Sequence, residues 1–137
     1  MGAFIAMAIT LMLMCALGGC TNTPNLAGTW APEQATLGGT ELPVTAFDGA
    51  TLKLTDHTYD FKGDVGTYTL VPGTQPAQMD IKGTQGPNAG RTIPAIYELN
   101  GDALSICYQL DAAGARPTTF AAPKATKLFL VAYKRVK

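Results

Sequence analysis

From Leu26 onward, apolar side chains recur at every second position: Leu52 and Leu54, Tyr59 and Phe61, Tyr68 and Leu70, Met79 and Ile81, Tyr97 and Leu99, Leu104 and Ile106. Lys53, Asp60, Lys62, Thr69, Asp80, Lys82, Glu98 and Ser105 take the alternate positions. Residues two apart share one face of a strand, so the pattern predicts strands with a buried face and a wet face, as antiparallel sheets have. No stretch of helical period is long enough to compete. The runs predict about eight strands: one from Leu26 into the "TWAPEQATL" stretch, then 51–55, 57–62, 65–71, 77–82, 91–99, 103–110 and 127–133.

Turn residues separate these runs. "LNGD" at 99–102 carries an Asn-Gly pair that marks a tight hairpin, "KGD" at 62–64 a second turn, and "GPNAG" at 86–90 a longer loop that proline interrupts. Successive hairpins favour an up-and-down sheet that curls until its edges meet, because closure removes the exposed strand edges that invite aggregation. The fold class expected is therefore all-β, an antiparallel up-and-down barrel of about eight strands, with a two-sheet sandwich as the structural alternative.

The first nineteen residues break the pattern. "MGAFIAMAITLMLMCALGG" has no charged side chain, and none occurs before Glu33. Such a segment reads as a removed secretory signal, a lipoprotein signal or an uncleaved anchor, the last normally wanting about 20 apolar residues and clearer flanking charge. Leu17-Gly18-Gly19-Cys20 resembles the lipobox of bacterial lipoproteins, although no Lys or Arg stands in the first residues. That resemblance implies a diacylglyceryl group on the Cys20 thiol and a chain held on a membrane by acyl chains, at about 0.8 kcal/mol per buried methylene. The expected organisation is a signal at 1–19, lipidated Cys20 with a polar tether to residue 25, and one domain over 26–137. The expected location is the cell envelope, lipid-anchored on the periplasmic side or at the outer membrane, with secretion as the alternative. Thr21, in place of an aspartate, resembles lipoproteins sent on to an outer membrane.

Charge and reactive residues narrow the function further. Ten Lys and Arg balance ten Asp and Glu, so there is no basic field for nucleic acid. With Cys15 in the signal and Cys20 lipidated, Cys107 is left alone and reads as a small buried strand residue. His57 is the single histidine. Flanked by Asp56 and Asp60 in "TDHTYD", it lacks the convergent ligands zinc needs, and Asp56, Asp60 and Asp64 lack the spacing of a calcium loop. Asp80 and Glu98 read as outer-face charges, although distant strands could bring them together. No nucleophile elbow, phosphate loop or metalloprotease motif occurs. The expectation is a protein that is not an enzyme and needs no cofactor or metal.

Gly28-Thr29-Trp30 at the first strand, with Arg135 near the end of the last, resembles the lipocalin arrangement, in which an arginine packs across a tryptophan at the closed end of the barrel. "AIYELNGDALSICYQL" at 95–110, "ARPTTF" at 115–120 and "LFLVAYKR" at 128–135 extend the likeness, with Gly66-Thr67-Tyr68, Pro76, Asp80-Ile81 and Gly90-Arg91-Thr92. Together they resemble a family of uncharacterised lipocalin-like domains described mainly from planctomycete bacteria. The resemblance implies a lipocalin-like fold and a barrel closed by Trp30 and Arg135; it implies no particular activity. Arg116-Pro117 within it reads as a structural pair, the arginine tying a loop to a carboxylate or to carbonyls.

If the strands close, Tyr59, Phe61, Tyr68, Tyr97 and Tyr108 face inward and could orient a small apolar or amphiphilic ligand. The competing expectation is a barrel filled by its own side chains that works through its surface; short strands and large inward residues favour filling. The expected partners are the membrane, through the N-terminal lipid, and a small apolar molecule; no residue pattern points to a particular protein partner.

Overall fold

The computed structural model describes residues 24–137, and they form the all-β barrel that the alternation predicts. The strands are β1 (Gly28–Leu37), β2 (Thr40–Leu42), β3 (Leu52–Leu54), β4 (Thr58–Phe61), β5 (Asp64–Val71), β6 (Ala77–Gln85), β7 (Thr92–Asn100), β8 (Ala103–Gln109) and β9 (Leu128–Arg135). Each strand from β3 to β9 pairs antiparallel with the next, and β1 pairs with both β3 and β9, which closes an eight-stranded up-and-down barrel. β2 is an additional short strand. The sandwich alternative is thereby excluded.

β1 departs from simple alternation, and the departure organises one side of the barrel. Its pairing with β9 steps from Pro32↔Tyr133 to Gln34↔Ala132, leaving Glu33 as a bulge where proline's missing N–H does no harm. The extra residue switches parity, so both Trp30 and Ala35 point inward and are fully buried. One edge of β1 pairs with β9 throughout. The other pairs first with β3 (Trp30↔Leu52) and then with β2 (Ala35↔Leu42). β2 and β3 are thus successive pieces of one strand, separated by an excursion over 43–51 that contains a 3-10 turn, Val44–Phe47.

Hairpin chemistry sets the remaining register. Lys62 and Gly63 join β4 to β5 with φ of 51° and 89°, the double left-handed turn whose twist matches the strands, and the Asp60 carboxylate accepts from Gly63 N at 3.1 Å. The β7–β8 hairpin closes on Asn100↔Ala103, so its two loop residues are Gly101 and Asp102. The positive φ of 64° falls on Gly101 alone of the Asn-Gly pair, one step along from the turn that pair suggests.

Inward positions build one core running from Leu26 to Tyr133, with Trp30, Leu52, Leu54, Tyr59, Tyr68, Met79, Ile81, Tyr97, Leu104 and Ile106 among its members. The whole closed sheet and this core fall within residues 26–137, so that span carries its own interior. The outer face is not uniformly wet, as simple alternation implies. Outward Ile96 and Cys107, neighbours across β7 and β8, are buried beneath the segment 110–127, where Ala122 is buried too. The Cys107 thiol faces the Ala121 carbonyl at 3.5 Å, and burial pushes its pKa up. A small inert thiol suits a position where a strap lies close on the sheet.

Arg116 fastens that strap. Its guanidinium donates to the carbonyls of Met79 at 3.1 Å and Ala95 at 3.0 Å and pairs with the Asp80 carboxylate. Both acceptor types expected of the Arg116-Pro117 pair are therefore used. Asp80 faces Pro94 in the β6–β7 register, while Glu98 lies four residues further along β7, opposite Ser105 on β8. At about 3.3 Å per residue these carboxylates do not meet.

Candidate functional site: a half-filled barrel

One end of the barrel is sealed. Trp30 has no exposed surface, and its indole N–H donates to the Leu26 carbonyl at 3.0 Å, which pulls the leading segment under the floor. Arg135 lies over the indole with its guanidinium carbon 4.3 Å from the ring centroid. It donates to the Ala27 carbonyl at 2.9 Å and pairs with Asp102 at 3.2 Å. This is the barrel-closing pair expected from the sequence. The glycine of Gly28-Thr29-Trp30 has a physical reason as well: its φ is +143°, and a Cβ there would stand 2.7 Å from Arg135 Nη1. Two hydrogen bonds, a stacked cation and a glycine thus make one plug.

The other end is open. Between plug and mouth lies a cavity of about 200 Å³. Its walls are mainly apolar: Leu52, Leu54, Met79, Ile81, Ile93 and Ile106, with the aromatic rings of Phe61, Tyr68 and Phe129. The expectation of filling holds for the half near Trp30 and fails for the half near the mouth. There Phe61, Ile93, Tyr108 and Phe129 line the space without closing it, and β5 carries Gly66 opposite Tyr59 on β4. A Cβ on Gly66 would stand 2.1 Å from the Lys82 carbonyl oxygen and 2.6 Å from Tyr59 Cε1, so only glycine lets the Tyr59 ring lie flat on the wall.

Of the five proposed ligand-facing residues, Tyr59, Phe61, Tyr68 and Tyr108 line the cavity. Tyr97 does not. It is inward and buried, but it sits on the C-terminal half of β7, the half that runs toward the plug, paired with Ala77 and Ile106. Alternation identifies its face; its depth depends on how the strands are staggered. Cys20 and the lipobox residues Leu17, Gly18 and Gly19 lie outside the described residues. His57 stands in the β3–β4 connection at the plugged end, away from the cavity, and among the described residues no cluster of three or more His, Cys, Asp or Glu could hold a metal.

The polar groups of the site are few and mostly engaged with one another. At the mouth, the Asp64 carboxylate accepts from Asn88 Nδ2 at 2.7 Å and from the Tyr59 hydroxyl at 3.4 Å. Arg91 donates to Asn88 Oδ1 at 3.0 Å and to the Leu110 carbonyl. The loop after β6 aims Asn88 at Asp64, since its backbone is pinned by Gly90 N to the Gly83 carbonyl at 2.9 Å and Gly83 N to the Arg91 carbonyl at 3.0 Å. Phe47, from the excursion between β2 and β3, reaches the rim edge-on to Phe61 with centroids 6.0 Å apart. Deeper, the hydroxyls of Tyr108 and Tyr133 meet at 2.8 Å, and the Tyr108 ring stacks on Phe129 at 5.8 Å.

These phenols are held neutral. Burial, then the nearby Asp64 carboxylate, pushes Tyr59 up to about 12. Burial pushes Tyr108 and Tyr133 up as well, and Tyr68 with them. A phenol in such surroundings serves as a hydrogen-bonding group and not as a base. The arrangement can therefore enclose an apolar body and bond a polar group on it.

Asp64, Asn88 and Arg91 carry no signal in the sequence, being loop and strand-end residues that only closure assembles. Phe129 and Tyr133 are different: they alternate with Val131 along β9, and the period-2 rule applied to that strand identifies them as inward. No family model, no curated protein and no solved structure matches the chain.

Proposed function

We propose that this protein is a membrane-anchored envelope lipoprotein whose lipocalin-like barrel binds a small apolar or amphiphilic molecule. The observation that carries the binding half is the cavity of about 200 Å³, walled by apolar side chains, open at one end and plugged at the other by Trp30 and Arg135. A barrel whose only task was structural would gain by filling that space, because voids forfeit packing contacts. The position of His57, at the end remote from the cavity, favours a carrier over a catalyst. The anchoring half is supported by Cys20 in its Leu-Gly-Gly setting at the end of an apolar segment, and with it goes the reading of a carrier held in the cell envelope.

Native mass spectrometry of residues 21–137, produced in a bacterial host without detergent, tests the binding half. A bound species of defined extra mass is expected. The bare mass alone, repeated after incubation with lipid extract, would replace this reading with a structural barrel acting through its surface. Intact mass of the membrane-extracted full chain tests the anchor, and absence of added acyl mass on Cys20 would overturn it.

A further inference from the structure

Resting on the binding reading, we infer that the cavity is built for a neutral ligand of about one substituted ring, held by a carbonyl or other hydrogen-bond acceptor against the Tyr108–Tyr133 hydroxyl pair. Size comes first. An apolar cavity of about 150 Å³ takes benzene, so one of about 200 Å³ has room for a ring with a substituent of two or three heavy atoms. A long acyl chain or a fused polycycle could not be enclosed whole.

Charge comes next. The ionisable acid and base that line the site, Asp64 and Arg91, are of opposite sign, and both are engaged at the rim through Asn88. Bonded to the same Asn88 side chain, the two opposite charges stand side by side and present the interior with no net charge of one sign. An unpaired carboxylate or ammonium carried past them would lose its hydration without compensation. The occupant is therefore neutral.

The anchor point follows from donor counting. Two phenol hydroxyls carry two hydrogens, and the pair at 2.8 Å uses one of them, whichever ring donates. The second hydrogen has no protein acceptor among the described residues. It faces a mainly apolar cavity, where an unmet donor is costly and a ligand carbonyl would satisfy it. Both rings are fixed in place, Tyr108 by its stack on Phe129 and Tyr133 by burial beside the plug. The donor is thus positioned before the ligand arrives.

Three probes of one shape separate the possibilities: ethylbenzene, acetophenone and benzoate, titrated by calorimetry or NMR shifts into residues 21–137 and into the double variant Tyr108→Phe/Tyr133→Phe. Replacing both members of the pair leaves no orphaned hydroxyl, so this variant is expected to fold. Acetophenone should bind the native barrel, weaken about fivefold in the double variant relative to ethylbenzene, and exceed benzoate by at least about tenfold. Equal changes for acetophenone and ethylbenzene, or benzoate as the tightest of the three, would overturn the assigned ligand class while leaving a binding cavity. If none of the three binds although native mass spectrometry shows a bound species, the size assignment is wrong; if neither method finds a ligand, the binding reading itself falls.

Discussion

Replacing Arg135 with alanine should weaken the barrel from its closed end, and the amount follows from what the guanidinium touches. It stacks over a fully buried indole at 4.3 Å, a partly shielded cation–π contact worth about 1 kcal/mol. It also donates to the Ala27 carbonyl at 2.9 Å, a charge-assisted bond worth about 1.5 kcal/mol. The pair with Asp102 is exposed and is left out of the sum. The expected loss is about 2–3 kcal/mol, which for a domain of this size lowers Tm by about 10 °C. Trp30 is the single tryptophan, so its fluorescence reports unfolding and the state of the plug together. Arg135→Lys should lose most of the same stability, since ammonium keeps the charge but has neither the plane to stack nor the fork to reach Ala27. Because the contacts under Trp30 are shielded, the loss should persist at about 1 M salt, where exposed pairs are screened. A Tm within about 2 °C of the parent, or a loss that disappears in salt, would refute the assignment of the plug's strength to stacking and the Ala27 bond.

Other expectations concern the wall, the phenols and the strap. Gly66→Ala should cost more than about 2 kcal/mol in urea unfolding, because its Cβ meets both backbone and the Tyr59 ring; a cost below about 0.5 kcal/mol would mean the wall yields freely. Tyr59, Tyr108 and Tyr133 bind their protons more tightly in the folded state than at their ordinary pKa of 10.0. Their stabilising contribution is therefore complete below pH 10 and lost as pH rises above it, through about 12 for Tyr59 and further still for Tyr108 and Tyr133, so Tm against pH, followed with tyrosinate absorbance, should begin to fall near pH 10 and keep falling beyond 12. Arg116→Ala should cost about 1–2 kcal/mol and speed the reaction of Cys107 with thiol reagents, since it unfastens the strap covering that thiol; unchanged labelling would show that the strap holds without it.

The expectations that held are those with local causes. Strand faces follow from a two-residue period and turns from neighbouring residues, so the strands from β3 to β9 were legible to within a few positions. β2 was not: three residues between Gly38-Gly39 and Pro43 carry no alternation to detect, and the β1 bulge at Glu33 changes parity without marking itself. Asn100-Gly101 announced a hairpin but not the one-step placement of its loop, which depends on how β7 and β8 pair.

The candidate site divides along the same line. The sequence alone determined an all-β chain and the inward faces carrying Tyr59, Phe61, Tyr68 and Tyr108, while the partnership of Trp30 with Arg135 was an expectation from the lipocalin resemblance. Each is written in a short pattern or a compact motif. Only the tertiary structure decided that Tyr97 packs toward the plug, that Asp64, Asn88 and Arg91 meet at the mouth, and that two tyrosines 25 positions apart share a hydrogen bond. Depth inside a barrel is a product of strand stagger, and stagger is a property of the closed sheet. An empty space is the most collective quantity of all: no residue encodes it, because it is what remains after every inward side chain has taken its volume.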